Sequence, residues 1–160
     1  MTASTAWLLV TGSRDWQGPD RRDVMRTALQ QAWDEAREAG CGRMVVVHGA
    51  ARGADSMAVA WTKGRPGVLE VPVVPDWDGP CGKRCRAGHR RKRRDGSTFC
   101  PAAGNYRNQR MVDHVRHQAG MKLVLAFFAA EESTGTADCL ERAVKARLPW
   151  RRFDAWRVDA

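Results

Sequence analysis

Short apolar runs that stop at glycine or small polar residues alternate along this sequence with amphipathic segments of helical spacing. Residues 7–11 stop at Gly12, residues 44–47 stop at the turn of residues 48–55, and residues 122–128 precede a further polar turn. Apolar runs of this length between turns are typical of buried strands. Because strands and helices alternate, the sequence predicts a parallel sheet with helices on both faces.

The remaining segments fit the same alternation. Residues 68–74 form another apolar run, which Pro72 interrupts. Proline has no N–H to donate to a neighbouring strand, so we expect this strand near an edge of the sheet. The tail, residues 149–156, predicts a final strand. We therefore expect an α/β, three-layer fold with a mainly parallel sheet of about five strands.

The basic residues are concentrated in one segment. The chain has 160 residues, 43% of them hydrophobic, and a net charge of +9. Residues 80–96 contribute +7 of that charge, so the basicity belongs to this segment rather than to the whole fold. We predict a single domain, residues 1–160, in which residues 80–103 form a Cys- and Arg-rich insertion loop.

The N-terminus and the cysteines indicate a protein of the reducing cytoplasm. Residues 1–7 lack the charged and apolar regions of a signal peptide, and residues 123–130 form an apolar run too short to span a bilayer. The five cysteines are an odd number and are partly clustered, which favours metal ligands over disulfides in that compartment. We expect a cytoplasmic protein without membrane contact, in which Cys41 and Cys139 are small buried or half-buried thiols.

The turn at residues 48–55 joins an apolar run to a helical segment through two glycines. Backbone N–H groups at a helix start favour an anion, so this turn predicts a phosphate-binding wall. Similar turns lie at Gly12 and Gly135, and a polar helix start lies at Asn105. Ligands of open parallel sheets bind outside the carboxyl ends of the strands, so we expect these four walls to form one pocket. Its candidate ligand-binding residues are Gly12, Ser13, Arg14, Gly49, Arg52, Gly53, Asp55, Asn105, Arg107, Asn108, Arg110, Gly135 and Thr136.

Each candidate has a chemical role and a structural alternative. Ser13 and Thr136 can donate hydroxyls to phosphate oxygens, and Arg14, Arg107 or Arg110 can supply a bidentate fork. Asp55 can accept hydrogen bonds from ribose hydroxyls. The structural alternatives are helix capping for Asp55, Asn105 and Asn108, and packing at a strand end for His48.

Four ordered motifs carry a resemblance to a known family: residues 10–16, residues 48–55, residues 104–110 and the pair Gly135-Thr136. Together they resemble the YspA-like branch of the SLOG superfamily, Rossmann-like proteins that include the LOG phosphoribohydrolases and DNA-processing protein A. The resemblance implies binding of a nucleotide or nucleotide-derived ligand, ADP-ribose-like or a nucleoside phosphate, by a sensor or sequestering protein. Pairing through helices in relatives leaves a homo-oligomer open.

The sequence departs from the enzymatic LOG pattern at one position. That pattern places a glutamate three residues after the threonine of its glycine-rich turn, where this chain has Cys139. Ser133 and Thr134 also replace the first glycine pair. We therefore favour binding over N-glycosidic hydrolysis of a nucleotide. If the protein is such a hydrolase, Asp138 is the candidate catalytic residue, although a first-turn aspartate also suits the helix dipole.

The insertion contains the pattern Cys81-x3-Cys85-x3-His89-x10-Cys100. Three thiolates and one imidazole suit tetrahedral Zn²⁺, and a bound ion can fold a loop that has no hydrophobic core. We predict a structural zinc site, with chance clustering as the alternative. In place of His89, the fourth ligand can also be His114 or His117.

A run of basic residues lies between these ligands. A charge run of this kind forms a solvated face, a lid over a polyanionic ligand, or a contact to nucleic-acid phosphates. A nucleic-acid partner would bind through residues 90–94, and the scarcity of aromatic residues there does not favour base stacking. The residues concerned are Arg84, Arg86, Arg90, Arg91, Lys92, Arg93 and Arg94.

Overall fold

A computed structural model describes residues 4–158 of the chain. Its strands are β1 (Ser4–Gly12), β2 (Cys41–His48), β3 (Val68–Pro72), β4 (Arg91–Lys92), β5 (Thr98–Phe99), β6 (Lys122–Phe128) and β7 (Trp150–Asp154). Its helices are α1 (Pro19–Glu38), α2 (Ala54–Thr62), α3 (Ala103–Arg116), α4 (Thr134–Lys145) and α5 (Ala155–Val158).

Five of the strands form one parallel sheet in the order β3-β2-β1-β6-β7. This arrangement confirms the predicted α/β fold and the predicted number of strands. The strand β3 lies at one edge, as Pro72 predicted, and β6 lies inside the sheet between β1 and β7. The two short strands β4 and β5 form a separate antiparallel hairpin within the insertion.

The side chains of β1 alternate between two apolar layers. Leu8 and Val10 belong to the core that packs against α1 and α2, whereas Leu9 belongs to the core under α3 and α4. All three are essentially inaccessible to solvent. The sequence of β1 is continuously apolar because the strand is buried on both faces.

The structure extends the first two strands beyond the apolar runs. The strand β1 begins at Ser4, which pairs with Cys41 at the start of β2. Backbone pairing in the ladder keeps these residues extended although their side chains are small or polar. The helix α3 begins at Ala103, two residues before Asn105, and the short α5 was not predicted.

None of the helices within residues 4–158 combines the length and apolar character that crossing a bilayer requires. The longest described helix, α1, has 20 residues and carries acidic and basic side chains along its exposed face. The cytoplasmic location itself stays a prediction. It rests in part on residues 1–3, which lie outside the described residues.

Candidate functional site

A cleft with a volume of about 580 Å³ opens at the carboxyl ends of β1 and β6. The strand order reverses between these two strands, since the chain runs from β1 to β2 and β3 on one side and from β6 to β7 on the other. Ligands of open α/β sheets bind at such reversal points. The volume lies in the range of small-molecule sites.

The starts of α3 and α4 form the floor of this cleft. Both helices begin without a side-chain hydrogen bond at the capping residue, Ala102 or Ser133. Within residues 4–158, the first-turn amides of Gly104, Asn105, Thr134, Gly135 and Thr136 have no hydrogen-bond acceptor. Two helix dipoles therefore converge on one space with free N–H groups, which favours an anionic group there.

Arginine side chains surround the same space. Two hydrogen bonds fix the guanidinium of Arg107: its Nη1 donates to the Gly49 carbonyl, and its Nε donates to Asn108 Oδ1 at 3.0 Å. Burial lowers the pKa of the Arg107 guanidinium, an effect that the nearby Asp55 opposes. Arg14 is exposed at the cleft, and no residue in the described part of the chain forms an ion pair or hydrogen bond with its guanidinium. Arg14 and Arg107 can thus provide one mobile and one fixed cation.

Several backbone amides of the turn at residues 48–55 already have acceptors within the protein. Asp55 Oδ2 accepts from the N–H of Gly49 at 3.0 Å and from the N–H of Ala51 at 3.2 Å. The Ala54 N–H donates to the Ser13 carbonyl at 3.2 Å. Only Ala51 and Asp55 of this turn line the cleft. The turn therefore forms a wall of the cleft in which the Gly49, Ala51 and Ala54 amides are already engaged.

Asp55 and His48 stabilise this wall from inside. Asp55 is 5% exposed, and burial raises the pKa of its carboxyl above the usual value, although two backbone amides and Arg107 oppose the shift. His48 is buried as predicted; its Nδ1 accepts from the Ala50 N–H at 3.0 Å and its Nε2 pairs with Glu70. Both ring nitrogens are engaged, so His48 has a packing role.

Glycine is required where the turn after β1 meets the start of α2. Gly53 has a φ of +77°, and a Cβ there would collide with the backbone of Ser13 and Arg14. A Cβ at Gly12 would collide with the side chain of Ala54. Close packing therefore explains why glycine stands at both positions. The same contacts keep the turn after β1 at the cleft.

Asp138 lies outside the residues that line the cleft. Its Oδ2 accepts from Asn108 Nδ2 at 3.0 Å and from Arg142 Nε at 2.9 Å. Asn108 also donates to the Gly135 carbonyl at 3.2 Å, so the three side chains join α3 to α4. Cys139 is fully buried, as predicted, and burial raises the pKa of its thiol to about 12. The position of the LOG glutamate therefore carries a neutral thiol.

The structure brings nine of the predicted ligand-binding residues to the cleft lining and leaves four outside it. Arg110 is one of the four, since its Nη2 donates to the Val74 carbonyl at 2.8 Å. Arg52 is exposed beyond the lining. The residues that line the cleft are Gly12, Ser13, Arg14, Asp55, Asn105, Arg107, Asn108, Gly135 and Thr136, and those outside it are Gly49, Arg52, Gly53 and Arg110.

The sequence analysis missed Trp77, Pro101 and Arg21, which also line the cleft. Trp77 follows β3 within the polar segment of residues 76–79. A tryptophan in a polar turn directly after a predicted strand was the available signal, because the ends of parallel strands meet at the ligand edge. The position of Pro101 depends on how the insertion closes, which no local pattern shows.

The insertion brings Cys81, Cys85, His89 and Cys100 together. Their ligand atoms all lie within 4.8 Å of one another, so the cluster could hold a metal ion. His89 Nε2 lies 2.9 Å from Cys81 Sγ and 3.4 Å from Cys100 Sγ. His114 instead packs edge-on against Trp7, with ring centroids 5.5 Å apart. His89 is thus the histidine that completes this cluster.

Comparisons with known proteins identify the family of this chain. The sequence model of the "YspA, cpYpsA-related SLOG family" matches residues 7–79. The "Gene 61 protein" of Mycobacterium phage D29 is 34% identical over 150 residues, which cover 91% of this chain and 94% of the phage protein. No solved structure gives a significant match. The chain therefore belongs to the YspA, cpYpsA-related SLOG family.

Proposed function

We propose that the cleft binds a nucleotide or nucleotide-derived ligand, ADP-ribose-like or a nucleoside phosphate, and does not turn it over. The observation that carries this proposal is the convergence of two uncapped helix starts, α3 and α4, with Arg14 and Arg107 in one cleft. Phosphate oxygens bind well to free first-turn amides and to guanidinium groups. Membership of the SLOG family is consistent with a nucleotide-related function.

The turn after β1 adds a hydroxyl donor to this phosphate position. Ser13 Oγ accepts from the Asp15 N–H at 3.2 Å, which leaves its O–H free to donate towards the cleft. Ser13 and Arg14 lie on the same turn and line the same cleft as the start of α4. Binding of a ligand without turnover is the behaviour expected of a sensor or a sequestering protein.

Isothermal titration calorimetry with AMP, ADP-ribose and cyclic nucleotides tests the proposal. We expect at least one of these compounds to bind. The Arg14→Ala substitution should lower the affinity for that compound about tenfold, because a hydrogen bond to a charged group is lost. Arg52→Ala is the matched control, since Arg52 is an exposed arginine of the neighbouring turn outside the cleft lining. Absence of binding by every ligand would contradict the proposal.

N-glycosidic hydrolysis has less support than binding. The candidate carboxylate Asp138 is engaged by Asn108 and Arg142, and Cys139 is a buried neutral thiol. We expect no free base after incubation of the protein with nucleoside monophosphates. Release of base by the wild type but not by Asp138→Ala would favour the hydrolase instead.

A nucleic-acid partner is a second candidate, because exposed basic side chains remain on the insertion. Arg90 and Arg93 are used internally: Arg90 donates to Gly79 and Thr98, and Arg93 pairs with Asp78 at 2.7 Å. If phosphates are bound here, binding should weaken steeply with salt. A gel-shift titration of wild type against a variant with neutral residues at the exposed positions tests this. These positions are Lys83, Arg84, Arg86, Arg91, Lys92 and Arg94.

We propose Zn²⁺ as the ion of the cluster of Cys81, Cys85, His89 and Cys100. Three thiolates with one imidazole, close enough to share one ion, are the usual donor set of a structural zinc site. The ion would cross-link the two ends of the insertion. Elemental analysis of protein purified without added metal should give about one zinc per chain, and a value near zero would refute this assignment.

A further inference from the structure

Among the described residues that line the cleft, Trp77 is the one aromatic side chain. It is half-buried, in the segment between β3 and the insertion. Its indole lies over Gly104, where an added Cβ would be 3.4 Å from the ring. The ring is therefore next to a first-turn amide of α3, one of the free N–H groups on the cleft floor.

The backbone and side chain of Trp77 are held by the far end of the insertion. Its carbonyl accepts from the Cys100 N–H at 2.9 Å, and its ring meets Phe99 edge-on with centroids 6.2 Å apart. The next two residues also bind to the later part of the insertion. Asp78 pairs with Arg93, and the Gly79 carbonyl accepts from Arg90 Nη1 at 2.8 Å. The position of the ring thus depends on closure of the insertion.

The cysteine cluster is at the centre of that closure. Cys81 follows the tied segment by two residues, and Cys100 donates its amide to Trp77. On the other side, Cys85 Sγ lies 3.0 Å from the hydroxyl of Tyr106, which is on α3. The cluster therefore contacts both the segment that carries Trp77 and the helix whose start forms the cleft floor.

We propose that Trp77 determines ligand specificity by stacking on a heteroaromatic base, and that the metal-loaded cluster of Cys81, Cys85, His89 and Cys100 positions it. The inference rests on the nucleotide-binding function proposed above. An aromatic platform adds affinity for any flat base, whereas the phosphate remains on the helix starts and the arginines. Metal loading should then raise the affinity for base-bearing ligands and leave the affinity for ribose phosphate unchanged.

The first test compares AMP and ADP-ribose with ribose 5-phosphate, which lacks the base, by calorimetry on the metal-loaded protein. Trp77→Ala should weaken the base-bearing ligand about tenfold and leave ribose 5-phosphate unchanged. Trp77→Phe should restore most of the loss, because a phenyl ring still stacks. Trp150→Ala, at an exposed tryptophan of β7 outside the cleft lining, should change neither affinity.

The outcomes separate this inference from the function on which it rests. Two results would show that Trp77 does not stack on the base. The wild type could bind ribose 5-phosphate and AMP with equal affinity, or Trp77→Ala could lower both affinities to the same extent. The specificity role is then wrong, while the phosphate site stands. If no ligand of the series binds, the proposed function and this inference both fail.

The second test removes the metal with a chelator and measures the ratio of the AMP and ribose 5-phosphate affinities. The ratio should fall towards that of Trp77→Ala and recover when Zn²⁺ is added back. Arg93→Ala provides a milder change, because it removes the contact with Asp78 and leaves the cluster intact. It should lower the same ratio even if the metal-free protein is too unstable to measure. An unchanged ratio in both experiments would refute the positioning role.

Discussion

Two turns of this protein look alike in sequence and differ in what their backbone offers. The turn before α2 and the turn before α4 each lead from a parallel strand to a helix through glycine and small polar residues. The second residue of α2 is Asp55, whose carboxylate accepts from two amides of its own turn. The second residue of α4 is Gly135, and the amides around it have no acceptor within residues 4–158. The Asp55 carboxylate therefore occupies two amides of the first turn, which we call the closed turn, whereas no side chain of the described residues occupies the amides around Gly135 in the second, which we call the open turn.

The comparison shows that a glycine-rich strand-to-helix turn is not by itself a phosphate site. The helix dipole is present at both turns, but an internal carboxylate already occupies two of the amides of the first. An anion placed there would also face the Asp55 carboxyl. The functional difference lies in the identity of residues 55 and 135, so exchanging their chemistry tests the comparison directly.

The largest expected effect follows from opening the closed turn. Asp55→Ala leaves the Gly49 and Ala51 amides without their acceptor in a buried wall. We expect a loss of about 2 to 3 kcal/mol in the free energy of unfolding, the cost of unsatisfied buried groups. Urea denaturation followed by circular dichroism measures it. Ser56→Ala is the control, since its exposed hydroxyl donates to the Ala51 carbonyl at 3.0 Å; equal losses in both variants would contradict the role of Asp55.

The turns also show how much of the site could be predicted from sequence. The apolar runs predicted the sheet because buried parallel strands are uniformly apolar, and the position of β3 followed from Pro72. The two turns could not be distinguished from sequence. The sequence does not show that the Asp55 side chain points back into its own turn and accepts from the Gly49 and Ala51 amides. Trp77 was missed for another reason: its place depends on the contact with Cys100, 23 residues later in the chain.

Closing the open turn should weaken ligand binding. Gly135→Asp places a carboxylate at the position in α4 that Asp55 occupies in α2. A Cβ at Gly135 meets no atom within 4 Å in the described part of the chain, so the fold should tolerate the change. The new charge repels a phosphate and competes for the free amides, so we expect affinity for the nucleotide to fall at least about tenfold.

The matched control for that exchange is Gly135→Ala, which adds the Cβ without the charge. It should keep most of the affinity and raise the stability of α4 by about 0.5 kcal/mol, because alanine is the better helix former. Calorimetry and thermal unfolding measure the two effects. If the alanine variant loses binding as fully as the aspartate variant, the loss comes from steric contact with the ligand and not from charge.

The smallest expected effect is a pH dependence that only the closed turn should show. Burial raises the pKa of Asp55, so the folded state binds this proton more tightly than the unfolded chain does. The wild type should therefore gain stability relative to Asp55→Asn as the pH falls from 7 towards the ordinary range of an aspartate. His48 and Arg107 are the neighbouring side chains that reduce the shift. Urea denaturation of both proteins across this range measures the difference in their free energies of unfolding. A difference that stays constant, or that moves in favour of Asp55→Asn as the pH falls, would show that the carboxyl of Asp55 is no harder to ionise in the folded protein than in the unfolded chain.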